Sequence, residues 1–197
     1  MDRRHFLIAL ASSASLATPA LADRAEVHYN FRSVFSTSTA HGSYRGKRIV
    51  DYRTAEQPGT IIIDTSSRRL FYVLDAGRAV EYGVGVGRQG FEWSGTARIG
   101  NKAEWPRWRP PAEMIARELS QYGRQLPAVM EGGPNNPLGA RALYLYQGNR
   151  DTLYRIHGTN APQTIGQAVS SGCIRMVNEE VIDLFNRARI GAKVIVL

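Results

Sequence analysis

The chain has 197 residues but only one cysteine, Cys173, and four histidines. A single thiol cannot close an internal disulfide, so a disulfide-stapled scaffold is excluded. No spacing of Cys, His, Asp and Glu suits a metal, and one of the four histidines, His5, lies in the leader described below. Neither a metal nor a cofactor is therefore expected. No run of eighteen or more apolar residues follows the N-terminus, which excludes a later membrane-spanning helix. Internal repeats are absent, so a solenoid is excluded as well. What remains is ordinary for a globular chain: 43% hydrophobic and 21% charged residues, enough to build one core.

Residues 1–22 read MDRRHFLIALASSASLATPALA. Arg3 and Arg4, a short apolar stretch and the small-x-small ending Ala20-Leu21-Ala22 match an export signal cleaved after Ala22. RRHFL fits a twin-arginine signal as well as a general secretory one. An uncleaved anchor helix is the competing reading, and Ser12, Ser13 and Ser15 count against it. After cleavage no permanent membrane span is expected, and the location is the periplasm. Loss of Asp2, Arg3 and Arg4 lowers the net charge from +8 to +7. A basic surface suits nucleic acid, anionic lipid or an acidic polymer. Export argues against nucleic acid and leaves the carboxylate-bearing polymer of the bacterial wall; a mere solubility surplus is the plainer alternative.

Residues 23–57 are polar and weakly periodic, and read as an extension or strap with one short strand near Ile49–Tyr52. The ordered domain is expected over 58–197. Thr60–Asp64, Leu70–Leu74 and Ala79–Val86 read as three strands joined by turn-forming residues, DTSSRR and DAGR, which suggests antiparallel pairing. A short helix is expected over Ala112–Ser120, and strands over Ala142–Gln147 and Thr152–His157. Val181, Ile182, Phe185 and Ala188 recur at helical spacing. They predict a helix over Asn178–Arg189, N-capped by Asn178, before a last strand at Lys193–Leu197. The fold class is mainly β: a mixed or sandwich-like sheet with one or two short helices.

The stretch GVGRQG (Gly85, Gly87, Gly90) fits G-x-G-x-x-G. A dinucleotide site needs a helix directly after those glycines. Here FEWSG follows, so a Gly-rich loop is the better reading. Trp93, Trp105 and Trp108 suggest a sugar- or peptide-binding cluster, although aromatic loops are more often packed. His28 and His41 receive no role.

An unpaired thiol in an exported chain implies intermolecular pairing, an inert buried Cys or a nucleophile. A nucleophilic thiol needs a base and donors for the oxyanion it creates. His157 lies sixteen residues before Cys173, at the end of an expected strand. Strand alternation puts Arg155 and His157 on one face, and Cys173 with Arg175 on one face of CIRM, so that Cys173, Arg175 and His157 can share one groove. Cationic neighbours there would lower the thiol pKa. Gly172 permits a tight turn whose backbone N–H groups face outward. Spacing alone admits this for any Cys and His on separate strands.

The run HGTNAPQTIGQAVSSGCIRMVN, His157–Asn178, is more specific. Together with NNPLGARALYL and GVGVG it resembles the L,D-transpeptidase (YkuD-type) catalytic domain, over roughly Pro58–Leu197. The resemblance implies a cysteine acyl transferase acting on peptidoglycan stem peptides. Cys173 would be the nucleophile and His157 the general base and acid, oriented by the backbone carbonyl of Gly158. The backbone of Ser171, Gly172 and Cys173 would form the oxyanion hole. Arg175 would serve structure or bind a substrate carboxylate. Many relatives carry a second His where this chain has Ser171. The acyl acceptor stays open: a second stem peptide, an envelope-protein amine, or water, as in an L,D-carboxypeptidase. A non-catalytic wall-binding protein is the remaining alternative.

Overall fold

A computed structural model describes residues 46–88 and 93–197. The leader, His28, His41 and Gly90 lie outside the described residues. Among the described residues the order of strands and α-helices is β1 (Arg48–Asp51), β2 (Ile61–Asp64), β3 (Arg69–Val73), β4 (Arg78–Gly83), β5 (Val86–Gly87), β6 (Gly95–Glu104), α1 (Ala112–Tyr122), β7 (Arg141–Gln147), β8 (Arg150–His157), β9 (Ala168–Ser170), β10 (Ile174–Arg175), α2 (Asn178–Arg187) and β11 (Lys193–Val196). Nine strands form one mixed sheet in the order β1-β4-β3-β2-β11-β6-β7-β8-β10, and β5 pairs with β9 in a small parallel ribbon.

The expected antiparallel trio is β2-β3-β4. Two parallel pairings make the sheet mixed, β11 with β2 and β10 with β8. β2 explains why the centre holds. Its run Ile61-Ile62-Ile63 is buried throughout because both faces of the sheet are covered. Ile61 and Ile63 join the main core with Leu70, Tyr82, Leu143, Leu145 and the α2 residues Val181 and Leu184. Ile62 packs on the opposite face with Phe71, Val73 and Ala79, where Tyr52 stacks on Phe71 at 4.4 Å. Truncating one such Ile to Ala typically costs about 2–5 kcal/mol. α1, by contrast, buries none of its residues.

α2 is fastened to β4 by a polar contact as well. Tyr82, fully buried, donates its hydroxyl to Asp183 at 2.6 Å. Arg187 donates to the same carboxylate at 2.9 and 3.2 Å, and Lys47 lies 2.9 Å from it. Burial raises the Asp183 pKa, but the hydrogen bonds from Arg187, Tyr82 and Lys47 outweigh it and hold the carboxyl well below the usual range. A depressed carboxylate stabilises the fold fully above its unfolded pKa of ~3.9, and that contribution disappears as pH falls through the folded value. The stability difference between wild type and Asp183→Asn, measured by urea unfolding, is therefore expected to shrink steadily from pH ~5 to pH ~2.

Candidate active site

Cys173 sits in the turn between β9 and β10. Gly172 holds φ at 111°, a region unfavourable to residues with a Cβ. Ser170, buried, pins the turn from inside: its hydroxyl donates to the Cys173 carbonyl at 2.7 Å and accepts from the Gly172 N–H at 3.1 Å. β10 then runs parallel to β8, with Ile174 beside Ile156 and Arg175 beside His157. The Met176 N–H donates to the His157 carbonyl at 2.8 Å. On its other side, Arg175 exchanges two backbone hydrogen bonds with Gly85, at 2.9 and 2.8 Å. Ile174 and Met176 enter the core, while Cys173 and Arg175 stay partly exposed. That is the alternation expected for CIRM.

His157 is only 5% exposed. Its Nδ1 lies 2.6 Å from the Gly158 carbonyl oxygen. A carbonyl can only accept, so Nδ1 carries the proton and Nε2 keeps its lone pair. Burial pushes the imidazole pKa down to about 4; the Gly158 bond opposes this, and the charges of Arg175 and then Arg155 add to it. The imidazole is therefore neutral at neutral pH.

The carbonyl of Gly158 is itself held in place. The Asn178 side-chain oxygen accepts from Ala140 N–H at 3.0 Å and Thr159 N–H at 3.3 Å. Gly139 and Gly158 close against that oxygen, and a Cβ on either would overlap it. This corrects the expectation that Asn178 caps α2. Val177 occupies the cap position without a side-chain cap bond, and Asn178 is already helical. Its amide ties together two loops instead. Asn136, 1% exposed, does the same for the loop upstream, donating to the carbonyls of Pro106, Glu131 and Met130 and accepting from Leu138 N–H.

The thiol also departs from expectation. Cationic neighbours were expected to lower its pKa, yet burial pushes it up, and the backbone N–H and charge of Arg155 only pull against that. Desolvation disfavours a thiolate more than one nearby, ion-paired arginine favours it. The thiol hydrogen is directed at the Leu153 carbonyl, with Sγ 4.0 Å from the oxygen.

Residues 58–196 match the family model for the L,D-transpeptidase catalytic domain, YkuD. The chain belongs to the YkuD family. Over 139 residues this YkuD domain is 37% identical to the Probable L,D-transpeptidase YbiS of Escherichia coli K12, spanning 68% of this chain and 43% of the length of that relative. A Fuscovulum blasticum chain named for the L,D-transpeptidases is 31% identical over 197 residues, covering 96% of this chain and 93% of the relative. Among solved structures, L,D-transpeptidase 3 of Mycobacterium tuberculosis shares the fold at a TM-score of 0.52 and 15% identity, over 70% of this chain and 60% of that one. A Brucella melitensis structure, solved under the name of a probable carnitine operon oxidoreductase, is 51% identical with a TM-score of 0.51, over 77% and 92% of the two chains.

The remaining sequence candidates are dispersed in this YkuD domain. Trp93 stacks on Tyr154 at 5.3 Å and packs against the core. Trp105 is exposed on the loop before α1, and Trp108 pairs with Met130 there. Gly85 and Gly87 flank Val86 at the short strand β5, and the next described element is β6. The Gly172 N–H is already engaged by Ser170. Arg175 lies against Gly85, and its Nε and Nη2 are shielded from solvent without a hydrogen-bond partner among the described residues. Among the described residues no three His, Cys, Asp or Glu side chains are grouped to hold a metal. A concavity of about 760 Å³ lined by Tyr72, Leu74, Arg187 and Lys193 holds neither Cys173 nor His157.

Sequence reasoning missed Ser170 and the role of Asn178. Ser170 was legible as the first serine of SSGC; the use of Asn178 was not, because its partners lie 38 and 19 residues away. Two outcomes follow from the buried imidazole. Nitrogen NMR should show His157 as the Nδ1–H tautomer, titrating near 4. Since the unfolded chain takes up the proton near ~6.5, the contribution of His157 to stability should fall as pH drops from ~6.5 toward the folded value and be intact above that window.

Proposed function

We propose that this chain is a peptidoglycan L,D-transpeptidase working by cysteine acyl transfer. The observation that carries this reading is a neutral histidine, locked as the Nδ1–H tautomer, on the strand that pairs with β10, which begins directly after the lone thiol. In a tetrapeptide stem, Cys173 Sγ attacks the carbonyl of the diaminopimelate–D-Ala bond. The thiol proton passes to His157 Nε2, and the carbonyl π electrons move onto oxygen. Both partners start neutral, so proton transfer accompanies attack instead of preceding it. When the oxyanion collapses, the C–N bond breaks and His157 gives its proton to the leaving amine of D-Ala. A thioester on Cys173 remains. An acceptor amine attacks it, loses a proton to His157 Nε2, and Cys173 leaves as a thiolate that regains that proton.

The imidazolium formed in each step is steadied by the Gly158 carbonyl. The Arg175 and Arg155 charges disfavour it, so it gives up its proton readily. Because Gly172 N–H is engaged, the backbone N–H groups of Ser171 and Cys173 are the oxyanion donors in this reading. One such donor is typically worth ~10²–10³ in rate. Arg175 would bind a substrate carboxylate, and its two nitrogens without a hydrogen-bond partner among the described residues support this: an arginine kept purely for structure ordinarily satisfies them. Stem peptides carry the carboxylates, and the net charge of +7 left after leader removal suits them. The basic leader motif supports export to the periplasm; among the described residues no helix is long and apolar enough to cross a membrane.

Cys173→Ala should abolish D-Ala release from tetrapeptide stems, scored by mass spectrometry of the products. Full activity in that variant would remove the nucleophile. Cross-linked or protein-linked products identify an amine acceptor, whereas tripeptides alone identify water and the carboxypeptidase reading.

A further inference from the structure

The carbonyl that holds His157 and the N–H of Thr159 belong to one peptide unit, Gly158–Thr159. A trans peptide is planar, and its C=O and N–H point in opposite directions. Both ends of this one are occupied. Its oxygen lies 2.6 Å from His157 Nδ1, and its N–H donates to Asn178 Oδ1 at 3.3 Å. A rigid plane held at one end cannot turn freely at the other. Asn178, the peptide and His157 therefore form one hydrogen-bonded chain. Each bond in such a chain polarises the next, so the bond at the N–H makes the Gly158 oxygen a better acceptor.

The partners of Asn178 identify the atom that faces them. Two N–H groups converge on it, from Ala140 at 3.0 Å and from Thr159, and of the amide's two ends only the oxygen can accept both. The peptide is boxed in as well. A Cβ on Gly139 would stand 2.4 Å from the Thr159 nitrogen and 2.6 Å from the Gly158 carbonyl carbon, so the Gly139 backbone packs directly against this unit. Gly158 N–H, one bond earlier, donates to the Arg141 carbonyl at 3.0 Å.

The oxygen itself is a fixed point. Asn178 opens α2, and Val181 and Leu184 bury that helix in the main core. Tyr82 holds Asp183 in its middle. At its far end Lys102 Nζ donates to the carbonyls of Phe185 and Ala188 and sits 4.0 Å over the Phe185 ring. α2 is thus anchored along its length to β4 and β6, and the loop after β8 is set against it.

We propose that Asn178 is a positioning residue for His157, acting through the Gly158–Thr159 peptide: by holding the peptide N–H it aims the Gly158 carbonyl at Nδ1 and so keeps the lone pair on Nε2. The inference rests on the reading of His157 as the base. A loop staple without this role would stabilise the fold but would leave the tautomer indifferent to Asn178.

Nitrogen NMR of the full chain at neutral pH reads the tautomer directly, and the His157 signals are assigned by their loss in His157→Gln. In Asn178→Ala the Nε2–H form is expected to appear beside the Nδ1–H form. The kcat for D-Ala release from tetrapeptide stems should fall by up to roughly 10²-fold, the loss typical of a slightly misplaced reacting group. KM should change little, because no substrate contact is removed. Asn178→Asp keeps an oxygen for both N–H groups and should retain the Nδ1–H form. Asp183→Asn loosens α2 from β4 but leaves the peptide's own bonds in place, and should also retain it. An unmoved tautomer in Asn178→Ala overturns the proposal, as does an equal change in Asn178→Asp or Asp183→Asn. If Asn178→Ala does not fold, Asn178→Ser, whose shorter side chain draws its oxygen back from both donors, replaces it with the same two outcomes. The tautomer is read without turnover. A switched tautomer with undiminished D-Ala release rejects His157 as the base, whereas an unmoved tautomer rejects only the role of Asn178.

Discussion

Two rungs of parallel pairing, Ile174 beside Ile156 and Arg175 beside His157, set the geometry on which the site depends. They fix the imidazole on β8 and the thiol in the turn that leads into β10, in one register. A slip of one residue would turn Cys173 into the core and expose Ile174. Two rungs are little, and the register is secured from outside the ladder. Gly85 brackets Arg175 on one edge and Met176 binds the His157 carbonyl on the other. Ile174 and Met176 anchor the segment in the main core. The site is thus rigid because a very short strand is held by packing on both of its edges and beneath it.

Electrostatics at the site follow from that burial. A fully packed ladder removes water from His157, and desolvation, with the charges of Arg175 and Arg155 added to it, keeps the imidazole neutral. The same desolvation keeps the thiol protonated, against the pull of Arg155. The resting pair is neutral–neutral, unlike a thiolate–imidazolium pair. In the proposed mechanism charge develops only with substrate in place, where fixed backbone donors can meet it without reorganisation.

Much of this was legible in the sequence because it is local. Alternation in CIRM and YRIH puts the right residues on the right faces, and the β-branched run in Thr60–Asp64 announces a strand. The helix of Val181 and Leu184 shows in its period. What the sequence concealed depends on distant partners. Asn178 looks like a helix cap, since Asn before two glutamates suits one; its oxygen is instead taken by Ala140 and Thr159. The ten-residue strand β6 was not foreseen, because Gly95–Glu104 mixes glycine, lysine and arginine and becomes a strand only between β11 and β7. The sign of the thiol shift was misjudged for the same reason. Neighbouring charges can be guessed from spacing, but the depth of burial they compete with belongs to the tertiary structure.

The pairing of Asn178 with two glycines shows how such a distant constraint is built. One side-chain oxygen accepts from two backbone N–H groups, and both loops must approach within van der Waals contact of it. Gly139 and Gly158 allow that approach because neither carries a Cβ. Their loops lead into β7 and out of β8, the strand pair that carries His157. The oxygen therefore fixes the exit of β8, and through it the Gly158 carbonyl that sets the histidine tautomer. At the other end of the motif, Ser170 shapes the turn before Cys173 by the same device: one hydroxyl bonded to two backbone groups. Neither side chain needs to touch substrate to matter. Each replaces a missing stretch of regular pairing where the backbone must turn sharply, so His157 and Cys173 are both positioned by polar side chains acting on the main chain.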